Sequence, residues 1–280
     1  MSTRINHNIL SLQTQRAIYQ TQLDMDNAVK RLSTGLRINN AWDDPAGLAV
    51  SERFRAQIAS MVEAERNANY DMNLLATAEG ALSVMDEKLI RMRSIAVEAA
   101  NGAITDSDRS FLDTEFQQMK SEITRIANVT NYAGLFLLDG SYTATNPNGF
   151  KFHIGTYNTF NNDYYYVELH QMDSAALGLT DSNLLTTASA QAALMEMDVA
   201  IQSKDTERAR LGSYVNRLQN TVLNLQVSRE RAIASESEIR DADIAVEMSE
   251  FTRSQILLQS GVAMLSQANM MPQIIAGLIG

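Results

Sequence analysis

The chain has 280 residues, 45% hydrophobic and 20% charged, enough apolar content to bury a sizeable core. Its formal net charge of −10 works against a nucleic-acid surface, which needs clustered cations. The absence of Cys excludes disulfides, thiolate nucleophiles and Cys-based metal sites.

Aromatics are few, and prolines stand only at 45, 147 and 272, leaving two long stretches free for helix and a mainly α fold class. The opening MSTRINHNILSLQTQ shows no basic region followed by an apolar one, so no secretory signal is expected. Within residues 4–34, Ile5, Ile9, Leu12, Ile18 or Tyr19, Leu23, Val29 and Leu32 recur mostly three or four apart. That spacing predicts an amphipathic helix with no core of its own. Gly35 suits a left-handed cap closing it.

Arg31 to Gly47 (RLSTGLRINNAWDDPAG) reads as a linker with a sharp restart. Asp44 is a good N-cap, Pro45 fits the first helical position, and Trp42 is expected to anchor the linker against a helix. From Ala46 to Asn101 a stripe of Phe54, Met61, Ala68, Leu75, Leu82, Leu89 and Ala96 repeats every seven residues. This predicts a coiled-coil-like seam on a rod roughly 80 Å long, at about 1.5 Å per residue. A second seam mixes apolar Ile58 and Met72 with charged Glu65, Glu79, Asp86 and Arg93, so the rod should bury one narrow edge and solvate the rest.

Gly102 is expected to end this helix. Thr105-Asp106-Ser107-Asp108 then offers N-caps for a shorter antiparallel helix through about Asn128, with Phe111, Leu112, Phe116, Met119, Ile123 and Ile126 inward. Aromatics concentrate between Tyr132 and Tyr166, beside turn signals at Asp139-Gly140, Asn146–Gly149 and Asn161–Asp163. Alternation of Phe150, Phe152 and Ile154, then Tyr165, Val167 and Leu169, predicts a β-hairpin insert too small for a domain of its own.

Helix returns near Leu184. Leu194, Met197, Ile201, Leu211, Val215, Leu218, Val222 and Leu225 form a seam interrupted by Lys204 and Arg208. Ser235–Asp241 reads as a polar joint, followed by Ile244, Met248, Phe251, Gln255, Leu258, Val262 and Leu265. Ser254 to Gly280 carries no Asp, Glu, Lys or Arg, and its large apolar residues lie all round the helix. Burial within that segment alone does not offset the entropy of ordering it, so other surfaces must enclose it. A membrane is one such environment, though five Asn and Gln residues and Pro272 make a poor span. A large domain and copies of the same chain are the others, and the matching thin rod at the N-terminus favours copies.

The expected layout is out-and-back: long antiparallel helices in a coiled-coil-like bundle. Residues 1–40 and 237–280 form terminal helices, 41–135 and 182–236 a helical rod, and 136–181 the β insert. No GxGxxG, P-loop, HExxH or GxSxG motif occurs, and no catalytic residue, cofactor or metal is assigned. His7, His153 and His170 lack helical ligand spacing, although His153 and His170 could face each other across the hairpin as a solvated pair. Asp43-Asp44 reads as helix caps, and Tyr164-Tyr165-Tyr166 as strand-face packing.

INHNILSLQTQR, RLSTGLRINNAWDDPAGLAVSERFRAQI, IRMRSIAVEAANG and SRERAIASESEIRDADIAVEMSEFTRSQILLQSGVAMLSQANMMPQ occur in this order. Together they closely resemble bacterial flagellins, over roughly residues 1–140 and 185–280. The short insert with FHIG (Phe152 to Gly155) resembles compact spirochaete-type periplasmic flagellins.

The resemblance implies a non-enzymatic subunit that polymerises into the flagellar filament, its terminal helices disordered in the monomer and paired in the filament. It gives Ile5, Ile9, Leu12, Leu23, Leu32, Ile244, Met248, Phe251, Leu258, Val262 and Leu265 to the polymerising axial core. Phe54, Met61, Leu75, Leu82, Leu89, Leu211, Leu218 and Leu225 go to the rod seam. Arg91, Ile95 and Glu115 match positions that meet a host receptor in the family, with Ile95 standing where Leu is usual. Implied partners are further copies of the chain, a flagellar export chaperone, filament cap and hook-associated proteins, and other flagellins or sheath proteins, but neither nucleic acid nor inserted membrane. Export through the flagellar type III channel and an extracellular filament are implied, with a periplasmic filament as the alternative. A hook–filament junction protein and a membrane-inserting helical protein are the competing readings.

Overall fold

The computed structural model describes residues 7–142 and 149–279, with side chains of the last helix through Met271. Five helices and two small antiparallel hairpins follow one another: α1 (Ile9–Thr34), α2 (Pro45–Ala99), α3 (Asp106–Val129), β1 (Asn131–Tyr132), β2 (Leu135–Phe136), β3 (Phe150–His153), β4 (Tyr164–Val167), α4 (Thr187–Arg240) and α5 (Ile244–Ile279). They form two compact units, Ala59–Glu230 and Met1–Ile58 with Arg231–Gly280.

In the unit Ala59–Glu230 the seven-residue stripe is the spine. Met61, Ala68, Leu75, Leu82, Leu89 and Ala96 are all buried, joined by Met85, Met92 and Ile95 on the same side of α2. Phe116 and Ile123 of α3, Met197, Leu211 and Leu218 of α4, and Phe152, Tyr165 and Val167 of the hairpin complete one core. Phe54 and Leu225 are half-buried.

The charged second seam is not simply solvated, as the sequence suggests. Arg93 meets Asp198 at 2.8 Å, Asp86 meets Lys204, Glu79 meets Arg208 at 2.6 Å and Glu65 meets Arg229 at 2.5 Å. Partner numbers rise on α4 as they fall on α2, so the helices run antiparallel with an ion-pair ladder along one edge. Lys204 is buried in that edge and also reaches Asp205 at 2.6 Å. A lone buried ammonium would be costly, and the paired carboxylates are what permit it there.

The α2–α3 turn is built by Arg109. Its buried guanidinium donates to the carbonyls of Ala99 and Asn101, both at 2.9 Å, and to Asp106 at 2.6 Å. These bonds satisfy carbonyls left open at the end of α2, so the helix closes at Ala99 and not at Gly102. Thr105 caps α3 by accepting from the Asp108 N–H. Phe111, expected inward, is exposed, because the buried face runs through Phe116, Ile123 and Ile126 instead.

The insert pairs Phe152 with Tyr165 and Phe150 with Val167, as the alternation requires. Only Tyr165 of the tyrosine run is buried, with Arg217 of α4 3.9 Å from its ring and Tyr214 stacked on it. A tighter hairpin, β1–β2, turns through Ala133 and Gly134, both at positive φ. The turn around Asn146-Pro147 lies outside the described residues.

In the other unit, Gly35 closes α1 at φ 71 with its N–H on the Arg31 carbonyl. The Asp43 carboxylate accepts the N–H groups of Asn40 and Asn39, which hold its pKa below the usual carboxylate value. Asp44 accepts from the Gly47 N–H at 2.9 Å, and a Cβ at Gly47 would run into both Asp44 and Ile38. DDPAG is thus one interlocked restart. Trp42 does not anchor it: the indole is 80% exposed, with Lys30 6.0 Å from its ring. Nor is Ser235–Asp241 a joint, since α4 stays helical through Arg240 and only Asp241–Asp243 separates it from α5. There the two connections pair, Arg37 N–H to the Arg240 carbonyl at 2.7 Å and Ala242 N–H to the Gly35 carbonyl at 2.9 Å.

Candidate interface on the paired terminal helices

The two terminal helices pack on each other antiparallel. Asn8 donates to the Ala268 carbonyl at 2.8 Å at one end, and Arg31 meets Glu247 at 3.0 Å at the other. Asp243 caps α5 by accepting from Ala245 at 2.8 Å, which fixes where that helix begins.

Positions withdrawn from solvent follow a strict three–four rhythm: Ser11, Thr14, Ile18, Thr21, Met25, Ala28 and Leu32 on α1, and Glu247, Phe251, Ser254, Leu258, Gly261, Leu265 and Ala268 on α5. That is a coiled-coil seam, but an unusual one. Every seventh residue of α5, from Glu247 through Ser254 and Gly261 to Ala268, is small or polar. Small residues let the backbones approach closely: a Cβ on Gly261 would stand 2.9 Å from Ile18 Cγ1.

Many of the large apolar residues therefore point elsewhere. Of the side chains expected to form an axial core, Leu32, Phe251, Leu258 and Leu265 are half-buried on the seam. Ile9, Leu12, Leu23, Ile244, Met248 and Val262 are exposed, Leu12 by 62% and Val262 by 56%. Periodicity alone picks out large residues and passes over the small Ser11, Ala28, Ser254, Gly261 and Ala268, which share the seam with them. Ile256, Leu257 and Met264 widen the exposed strip, and Met248, Thr252, Ile256 and Leu257 line a shallow groove along it. Ile5 lies outside the described residues, as do the side chains of Ile274, Ile275, Leu278 and Ile279.

Elsewhere, Arg91 holds Glu115 with two bonds to one oxygen, at 3.0 and 2.9 Å, on the exposed side of α2 and α3. Ile95 does not join them; it is fully buried in the core. His153 stacks on Tyr164, whereas His170 contacts Glu207 at 3.0 Å, so these two histidines have different partners. Among the described residues no cluster of three His, Asp or Glu is placed to hold a metal. No described helix is long and apolar enough to cross a membrane.

The exposed faces of α1 and α5 thus carry an apolar strip, and the sequence has no Asp, Glu, Lys or Arg after Arg253. Residues 5–143 match the bacterial flagellin N-terminal helical region and residues 194–279 the bacterial flagellin C-terminal helical region. The chain is 38% identical to the flagellar filament 33 kDa core protein of Treponema phagedenis, over 98% of this chain and 99% of that one. It is 38% identical to the flagellin of Bacillus subtilis, over 96% and 97% respectively. A solved hook-associated protein of Vibrio parahaemolyticus shares the fold with a TM-score of 0.58 at 17% identity, over 71% of this chain and all of that one.

Proposed function

The chain belongs to the bacterial flagellin family and is a structural subunit that polymerises into the flagellar filament for motility; from that premise we propose that the outward faces of α1 and α5 are its axial polymerisation surface. One observation carries this reading: the intrachain seam uses Ser11, Ala28, Ser254, Gly261 and Ala268, while Ile9, Leu12, Leu23, Ile244, Met248 and Val262 stay in solvent. Each large side chain buried by a neighbouring subunit contributes about 2 kcal/mol. The seam alone buries little, so the helix pair is marginal in one molecule and becomes secure when copies enclose it.

On this reading residues 1–40 and 237–280 are the axial part, 41–135 and 182–236 the rod, and 136–181 the outward insert. The seam of Met61, Leu75, Leu82, Leu89, Leu211 and Leu218 keeps the rod folded before assembly. The stretch of α5 after Arg253, apolar and without charge, suits an export chaperone on this reading; cap and hook-associated proteins would meet the filament ends, and other flagellins or sheath proteins its flanks. The filament is extracellular in this account, with a periplasmic one as the alternative that immunolabelled sections of whole cells would distinguish. Of the three positions matched to a host receptor, Arg91 and Glu115 are presented and Ile95 is not.

Deleting Ser254–Gly280 tests the proposal. The truncated chain is expected to keep a folded, protease-resistant rod and to form no filaments. Filaments growing at the normal rate from it would remove α5 from the polymerisation surface.

A further inference from the structure

The turn between α2 and α3 carries an exposed Asn–Gly pair, Asn101-Gly102. We propose that this pair is a self-modification site, at which the backbone nitrogen of Gly102 displaces ammonia from the Asn101 side chain.

Both partners in that reaction are prepared by the turn. The electrophile is the side-chain amide carbon. Its oxygen accepts the Ala103 N–H at 3.0 Å, so a fixed donor sits where negative charge grows in the tetrahedral intermediate. A bond from a side-chain oxygen to the N–H two residues on folds that side chain back over the intervening peptide, which here is the bond to Gly102. The nucleophile is unshielded. Both residues are exposed, the Gly102 N–H donates to no group among the described residues, and no atom lies within 4 Å of where a Cβ would stand. The same peptide is held rigid, because Arg109 donates to its carbonyl at 2.9 Å and to the Ala99 carbonyl at 2.9 Å. A guanidinium on that carbonyl draws electron density from the peptide and eases loss of the Gly102 proton. Fixing reacting groups at short range removes much of the entropy of encounter.

The steps balance without any oxidant or cofactor. Solvent base removes the Gly102 N–H proton, the nitrogen bonds to the Asn101 side-chain carbon, and the bond to Nδ2 breaks with a solvent proton going to the leaving ammonia. Water then opens the five-membered imide at either carbonyl, giving aspartate or isoaspartate at position 101. One water is consumed and one ammonia released. The product places a new carboxylate at the C-terminal end of α2, where the helix dipole opposes negative charge, with Arg109 as its nearby counter-ion. The isoaspartate form also lengthens the backbone of the turn by one carbon.

The sequence supplies its own reference, since Asn148-Gly149 is its other Asn–Gly pair. Purified full-length protein would be incubated at mildly alkaline pH, natively and in denaturant, and both pairs followed by peptide mass and by enzymatic methyl labelling of isoaspartate. Native Asn101 is expected to convert at least as fast as it does in denaturant. Gly102→Ala, which meets no atom in the fold, should slow it several-fold in both states. Ala103→Pro, which removes the polarising N–H, should slow it in the native state alone, with helix content checked by circular dichroism. Native Asn101 remaining intact while denatured Asn101 converts would overturn the proposal, and so would an Ala103→Pro variant that stays folded and reacts at the wild-type native rate.

Discussion

Asp71 gives the sharpest test of how the hairpin is docked on the helices. Its Oδ2 is buried without a hydrogen-bond partner, and so is the hydroxyl of Tyr165, the inward ring of β4. Arg217 does not pair with the carboxylate; its guanidinium lies against the Tyr165 ring at 3.9 Å. Burial alone then pushes the Asp71 pKa from 3.8 up to about 7. The folded state holds a proton that the unfolded state releases at lower pH. Below about pH 4 both states are protonated and Asp71 costs nothing; the penalty grows between the two pKa values and is complete above the folded one. At about 1.36 kcal/mol per pKa unit the full penalty is about 4 kcal/mol, and partial solvent access reduces it to about 2 kcal/mol. Asp71→Asn removes the titration. Urea unfolding at pH 4 and at pH 8 should therefore show the variant gaining about 2 kcal/mol on wild type between the two conditions, whatever its offset at either. A difference that is the same at both pH values would refute the burial argument.

Two further substitutions probe the other elements. Gly261→Val places a branched side chain against Ile18 and should separate α1 from α5, abolishing filaments while the rod melts at the wild-type temperature; normal filaments would show the close approach to be dispensable. Lys204→Ala leaves Asp86 without its buried partner and should cost about 3 kcal/mol of rod stability, near the low end for a broken buried pair because Asp86 keeps some solvent access. An unchanged urea midpoint would mean that the ladder contributes register but no energy.

Much of this was legible in the residues themselves. The heptad stripe from Met61 to Ala96, the Asp44-Pro45 restart, the Gly35 cap and the hairpin register all follow from local rules whose signals are strong. What periodicity missed has a common physical cause: it weighs size, not partners. It took Glu65, Glu79, Asp86 and Arg93 for solvated positions because their counter-ions lie more than a hundred residues away on α4. It turned Phe111 inward and anchored Trp42 because large rings usually bury, though here neither has a surface within reach. At the termini the same bias picked out Ile9, Leu12 and Val262 and passed over the small residues withdrawn from solvent between the helices, Ser11, Ala28, Ser254 and Gly261. A run of small or polar residues at seven-residue spacing, 247-254-261-268, was the available signal for the seam.

The account stands on the terminal helices being under-buried until copies of the chain surround them. Amide hydrogen exchange on dilute monomer and on filaments, read separately for 9–34, 59–230 and 244–279, addresses this most directly. The expected result is rapid exchange at both termini of the monomer, strong protection of the same segments in filaments, and protection of 59–230 in both. Termini as protected in the lone subunit as in the filament would contradict it.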